Sequence, residues 1–460
     1  MDINQGIFKA YDIRGIYPDQ LNEDGAYAIA RAFVSLVKKR IGSEKKLKIA
    51  VGSDMRLSSP SLKERVIAGL IDSGVDVDDI GLASSPAFYF SVGFYGYDAG
   101  MQVSASHNPK EYNGLKLVFE KGFPASKENG IYELRDMVAN DQLPELALEK
   151  GTLGKRENIA EACVIEQTKN LDLSKIKKFK IVIDPANAMG ITDMQALFEK
   201  LPCELVKMNF ELDGTFPAHP ADPMLAENIA ALKERVITEK ADLGIGIDGD
   251  ADRYFFVDEK GEPIKQGIMR GLMAQIELKD HPGATIAYDI RPGRITLDMI
   301  LKFGGKPLLT PVGHSLIKKM MVENNAIYGG ESSGHFAYKF DYGTFEAPIP
   351  EVVKFLIYIS EQNKPVSEII KPYDVYYHSG EINMHLQSNK EALNKIEQIK
   401  AMFPDGKINL MDGLSVEYPD FWFNLRPSNT EPLLRLAVEG ISKEVVEQKV
   451  AEMKKVLMGS

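Results

Sequence analysis

Lys180-Ile181-Val182-Ile183 leads to Asp184 (KIVID), a short run of buried-strand character closed by a carboxylate, with a turn and a helical pattern after it. The phrase recurs. Lys48-Ile49-Ala50-Val51 leads to Asp54, and Thr285-Ile286-Ala287-Tyr288 leads to Asp289, each again followed by a turn and a helical pattern. Spacings of roughly 100 to 130 residues exceed the ~20–50-residue periods of solenoids, so the chain reads as three related α/β units. Beyond about residue 371 the character changes. Short strands are expected over 381–386, 413–418 and 421–425, alternating with helices, the last an amphipathic helix from Ser442 to Met458 behind a serine cap.

At 460 residues the chain is too long for one core, and about 150 residues per domain suggests three or four domains. Boundaries are placed by turn-rich stretches at 141–158, 258–262 and 361–371, giving domains 1–153, 154–257, 258–370 and 371–460. A net charge of −11 argues against nucleic acid as partner, because neutralising phosphates needs a basic surface. The opening residues MDINQ show neither a basic n-region nor an apolar h-region, and Cys163 and Cys203 have no metal-ligand spacing. The one long uncharged run, 80–97, is interrupted by glycines, serines and Pro86 and reads as a buried strand and loop rather than a membrane span. A cytoplasmic protein, monomeric or a small homo-oligomer, is expected.

Asp248-Gly249-Asp250-Ala251-Asp252-Arg253 follows the apolar run 243–247 and carries the clearest chemistry. In an extended chain its carboxylates would share one side, roughly 6–7 Å apart. At an effective dielectric of ~20 each such pair repels by about 2–3 kcal/mol. Apolar neighbours (Ile245, Ile247, Phe255, Phe256) argue against a freely solvated loop. A hard divalent cation relieves the repulsion, and magnesium suits a phosphate site. An EF-hand is excluded because Arg253 stands where its loop needs glycine. A dinucleotide fingerprint is excluded because acids and a strand follow Gly244-Ile-Gly-Ile-Asp-Gly249, not a helix.

Other loops gather polar groups. Met101–Val118, MQVSASHNPKEYNGLKLV, brings Ser104, Ser106, His107 and Lys116 into what reads as a strand-end loop with a second turn at Tyr112-Asn113-Gly114. On these residues alone a turn-forming serine and a reactive one both stay open, and adjacency does not make His107 a base. Gly329-Gly-Glu-Ser-Ser-Gly-His335 reads on its own as a polar surface loop or as the kind of set that reads sugar hydroxyls. Arg426-Pro-Ser-Asn-Thr-Glu-Pro432, between two strands, reads equally as a plain turn or as an oxyanion cradle. Gly313-His314-Ser315 opens a helix, and Ser59-Pro60 is expected to cap another.

Taken together, SASHNP with YNGLK, DGDADR, GESSGH and RPSNTEP, in that order over essentially the whole chain, resemble the α-D-phosphohexomutase superfamily, in its phosphomannomutase/phosphoglucomutase branch. The resemblance implies three similar α/β domains with mixed sheets and a smaller α+β C-terminal domain around a central cleft. It chooses Ser106 over Ser104 as the phosphorylated serine, and makes Ser106, Asp248, Asp250 and Asp252 the ligands of one Mg2+. It places Tyr11, Arg14, Lys116, Arg253 and His314 at the reaction centre, with Lys116 or His314 as general acid or base. Glu331, Ser333 and His335 resemble the sugar-reading loop, with Arg291 nearby. Arg426, Ser428, Asn429 and Thr430 resemble the clamp on the substrate's distal phosphate. The implied reaction interconverts hexose 6-phosphate and hexose 1-phosphate, of mannose or glucose, through phosphoserine and a hexose 1,6-bisphosphate. The rivals are a phosphoglucosamine mutase and a metal-dependent phosphatase using the same phosphoserine.

Overall fold

A computed structural model describes residues 3–42, 45–291, 293–386, 389–427 and 433–458. The chain divides into two compact units, Met1–Ile264 with Ser333–Ile369, and Lys265–Ser332 with Ile370–Ser460. Among the described residues no helix is long and apolar enough to cross a membrane.

In the first unit, one sheet runs in the order Ile13–Ile16, Tyr112–Phe119, Ala99–Val103, Lys48–Ser53, Asp76–Leu82, Leu153–Lys155. A second runs Tyr254–Asp258, Leu243–Ile247, Lys180–Asp184, Glu204–Lys207. In the second unit, Thr285–Asp289 lies between Lys306–Thr310 and Tyr328–Gly330. The recurring phrase therefore occupies one topological place: each copy lies between two parallel neighbours. Its aspartate is buried every time and ties down the turn that follows. Asp54 accepts from Arg56 N–H and the Ser59 hydroxyl, Asp184 from Ala186 N–H and the Asn209 amide, and Asp289 from Arg270, Arg291 and Ser332. A buried carboxylate needs such partners, so the acid is kept where the turn donates to it.

The last part of the second unit is an antiparallel sheet, ordered Tyr377–His385, Leu433–Gly440, Phe421–Pro427, Leu414–Glu417, Lys407–Asn409. Helices Asn389–Met402 and Lys443–Met458 cover it through Ile399, Val446 and Met453 against Phe423, Leu425 and Leu436. The expected class, three similar α/β domains and a smaller α+β domain, is the one observed.

Local expectations needed correcting at four places. The run 80–97 is the end of a strand and then a helix, Ser85–Phe94, which the Ser84 hydroxyl caps through Ala87 N–H. Nearly all of that helix is buried, so it shows no polar stripe to announce it. The N-cap of helix Ser59–Asp72 is Ser58, not Ser59, whose hydroxyl is drawn to Asp54. Tyr112-Asn113-Gly114 is the start of a strand, not a second turn, so Lys116 stands in mid-strand. The acidic hexapeptide is a tight turn, with Ala251 N–H donating to the Asp248 carbonyl at 3.1 Å and Ala251 at φ +61°. Its carboxylates converge by bending, not by strand alternation.

Candidate active site

Within the first unit, the pairing Met101↔Leu117, Gln102↔Lys116 and Val103↔Leu115 locks the strand that carries Lys116. Leu115 and Leu117 are buried, so a slip of one residue would exchange core and site positions along the strand. Lys116 is itself buried. Its ammonium pairs with Asp250 and lies 3.0 Å from Asp252 Oδ2. Burial pulls the Lys116 pKa down, but Asp250 and Asp252 outweigh it and hold the group well above its usual range.

The acidic turn is wholly buried. Asp252 and Arg253 N–H donate to Asp248 Oδ1 at 3.1 and 3.2 Å, while Asp248 Oδ2 and Asp250 Oδ1 accept no hydrogen bond among the described residues. One oxygen from each of Asp248, Asp250 and Asp252 lies within 4.8 Å of the others. Burial, then Asp252 and Asp250, push Asp248 well above the ordinary carboxylate range. Burial acts the same way on Asp252, but Lys116 and His335 overcome it and hold that group well below. Three converging buried carboxylates, two of them with an oxygen that accepts no hydrogen bond among the described residues, fit a hard cation.

Ser106 meets this turn directly. It is buried, its backbone is left-handed at φ +54°, and a Cβ on Gly249 would collide with its carbonyl oxygen. Glycine at 249 is therefore what lets the acidic turn pack on the serine loop. Ser106 N–H donates to Ser104 Oγ at 3.1 Å, so the second hydroxyl shapes the loop. The bend also carries Ser106 Oγ to 3.2 Å from His107 Nδ1, where an extended chain would hold the two side chains apart. Burial, with Arg253 and Arg14 nearby, keeps His107 well below its usual pKa.

Cations surround the loop. Arg14 donates to Asp12 Oδ2 at 2.8 Å and Asn108 Oδ1 at 2.7 Å. Tyr11 lies in the bend just before the strand that carries Arg14. Arg253 Nε is 3.8 Å from Asp248 Oδ2 and 3.3 Å from His335 Nε2. His335 Nε2 is in turn 3.2 Å from Asp252 Oδ1, and its Nδ1 is 2.8 Å from Ser333 Oγ. The first unit thus brings together Ser106, Lys116, Arg14, Arg253, Ser333, His335 and the acidic triad.

The second unit gathers the other expected residues. Gly313 N–H donates to Glu331 Oε1 at 2.9 Å at the start of helix His314–Glu323, and Arg291 Nη2 is 3.5 Å from the same oxygen. Arg426, at the end of strand Phe421–Pro427, donates to Glu381 Oε2 at 2.6 Å, and Arg435 lies 3.4 Å from Glu381 Oε1. One carboxylate thus serves two arginines. Ser428, Asn429 and Thr430 lie outside the described residues.

Three contributors were missed in the sequence. Arg56 and Ser85 sit behind the serine and the acidic turn, and Glu381 between the two arginines. The Ser85 hydroxyl donates to the Asp250 carboxylate while its N–H donates to the Asp250 carbonyl at 2.9 Å. Serine before proline at a helix start was the available signal for Ser85, but nothing local ties it to a residue 165 positions away.

Four domain models of the phosphoglucomutase/phosphomannomutase family match in order: α/β/α domain I over residues 5–143, domain II over 162–261, domain III over 268–376 and the C-terminal domain over 381–456. A phosphomannomutase of Methanocaldococcus jannaschii is 36% identical over 454 residues, covering 98% of this chain and 97% of that one. The chain belongs to the phosphoglucomutase/phosphomannomutase family. This phosphohexomutase is also 35% identical to a phosphomannomutase of Escherichia coli K12 over 94% of each chain. A crystal structure of a Burkholderia thailandensis family protein superposes with a TM-score of 0.88 at 30% identity, covering 99% of this chain and 98% of that one. As a phosphohexomutase the protein is an isomerase, one that moves a phosphoryl group within a hexose phosphate.

Proposed function

We infer that this mutase interconverts the 6- and 1-phosphates of mannose or glucose, with Ser106 as the phosphoryl carrier and a hexose 1,6-bisphosphate as intermediate. The observation that carries the reading is the packing of a buried, left-handed Ser106 on the acidic turn beside Arg14, Lys116 and Arg253. A phosphoserine brings about −1.5 to −2 charge, which three carboxylates alone would expel. Asp248, Asp250 and Asp252 would hold Mg2+, with a Ser106 phosphate oxygen completing the set. When bound, the ion supplies positive charge to the phosphoryl oxygens.

The chain's own residues account for the rest. In the first half-reaction the bond between Ser106 Oγ and phosphorus breaks as a free sugar hydroxyl takes the phosphoryl group, and the hydroxyl proton ends on Ser106. After the bisphosphate turns over, its other phosphate returns to Ser106. Catalysis is positioning and charge stabilisation. Arg14, Lys116 and Arg253 face the transferring group, and Lys116 or His314 moves the proton. Glu331, Ser333 and His335 read the sugar hydroxyls with Arg291 and Tyr11. Arg426 with Ser428, Asn429 and Thr430 grips whichever phosphate is not reacting. The substrates are small hexose phosphates of a cytoplasmic enzyme.

The test is a rate comparison on the 1-phosphates of mannose, glucose and glucosamine, with bisphosphate hydrolysis followed in the same reactions. Fast mannose or glucose conversion supports the reading. A preference for glucosamine phosphate moves the protein to the phosphoglucosamine mutases, and hydrolysis outrunning interconversion makes it a phosphatase.

A further inference from the structure

Arg56 has no exposed side-chain surface, yet it carries a guanidinium that stays charged in proteins. Its Nη1 donates to the carbonyls of Pro109 at 2.7 Å and Tyr112 at 3.0 Å. Its Nη2 donates to those of Ser106 at 2.8 Å and Asn108 at 2.6 Å. Nε lies 3.2 Å from Asp54 Oδ2, and the Phe216 ring centroid is 5.0 Å from the guanidinium carbon. One planar fork therefore meets both ends of the serine loop, from the carbonyl of the carrier residue to the first residue of the next strand.

We propose that Arg56 is a positioning residue for phosphoryl transfer, acting through the loop backbone to hold Ser106 and Arg14 in their reactive places. The proposal rests on Ser106 being the carrier. Ser106 adopts φ +54°, a conformation a serine leaves unless its surroundings over-determine it. The bond from Arg56 to the Ser106 carbonyl supplies that constraint on the flank opposite the Ser104 hydroxyl, which fixes the Ser106 N–H. By holding the Asn108 carbonyl, Arg56 also sets the residue whose side chain accepts from Arg14 Nη1 at 2.7 Å. Arg56 does not touch the reacting atoms. Lysine is no substitute, because a compact ammonium cannot span the carbonyls that a guanidinium fork reaches in one plane.

The experiment compares Arg56→Lys with wild type in steady-state turnover, in single-turnover transfer from phosphorylated Ser106 to a hexose monophosphate, in Mn2+ affinity and in thermal melting. Misplacing the carrier by about 1 Å predicts kcat and the single-turnover rate both down about 100-fold, with KM and Mn2+ affinity within about threefold of wild type. A folded Arg56→Lys with kcat within about threefold of wild type, or with KM and Mn2+ affinity loosening in step with kcat, overturns the proposal. If Arg56→Lys does not fold, Phe216→Leu, which removes only the ring over the guanidinium, is predicted to lower kcat at constant KM, and unchanged kcat there overturns it. Ser106→Ala is assayed in parallel. Turnover in that variant removes the carrier reading itself, whereas its loss beside normal Arg56→Lys turnover removes only the role of Arg56.

Discussion

Lys116 Nζ lies 3.0 Å from Asp252 Oδ2 and pairs also with Asp250, so a buried ammonium stands on two of the carboxylates that fit a divalent cation. The pair helps explain how a buried acidic triad is compatible with a folded chain. Removing one partner of a buried pair strands the other charge at a cost of about 3–5 kcal/mol.

Lys116→Met therefore melts well below wild type when both are held in chelator. Adding Mg2+ recovers more of the melting temperature in the variant, because the ion then supplies the countercharge that Lys116 gave to Asp250 and Asp252. Calorimetry with and without chelator measures both effects. Equal melting of the two chelated proteins contradicts the account.

Ser85 fixes Asp250 from behind, since its hydroxyl and its N–H both reach that residue. With Ser85→Ala, Asp250 keeps Lys116 but loses its orientation, and Mg2+ affinity is predicted to fall about tenfold. Titration calorimetry gives the value. Unchanged affinity would show that Lys116 alone sets the carboxylate.

His219 makes stability depend on pH. Its Nδ1 is 2.9 Å from the Pro220 carbonyl and its Nε2 is 3.0 Å from Asp184 Oδ2, so both ring nitrogens face acceptors and only the imidazolium satisfies both. The Asp184 hydrogen bond raises the His219 pKa above its usual value against the opposing effect of burial. A histidine raised in the folded state contributes stability that is complete below its unfolded pKa and is lost as pH rises through the folded one. The melting temperature of wild type is predicted to fall across that window, relative to His219→Gln. Parallel pH curves for the two proteins exclude the contribution.

Much of the scaffold was legible because it rests on repetition. The phrases ending at Asp54, Asp184 and Asp289 have the same place in three sheets, and each acid ties the turn behind its strand. What escaped was set by contacts distant in sequence. Arg56 serves carbonyls 50 to 56 positions away, and Ser85 an acid 165 away. The helix Ser85–Phe94 was hidden for another reason: buried nearly all round, it has no amphipathic period. The acidic turn was misread in shape but not in chemistry, since like charges so close need a countercharge whether the chain is bent or extended.

The central claim is that Ser106 carries the phosphoryl group. Its most direct test is intact-mass and peptide mapping of phosphate on the enzyme after exposure to glucose 1,6-bisphosphate. The account predicts one phosphate, on Ser106, which is passed to unlabelled hexose monophosphate and is absent, with turnover, from Ser106→Ala. Phosphate on Ser104 instead, or full turnover in Ser106→Ala, would contradict it.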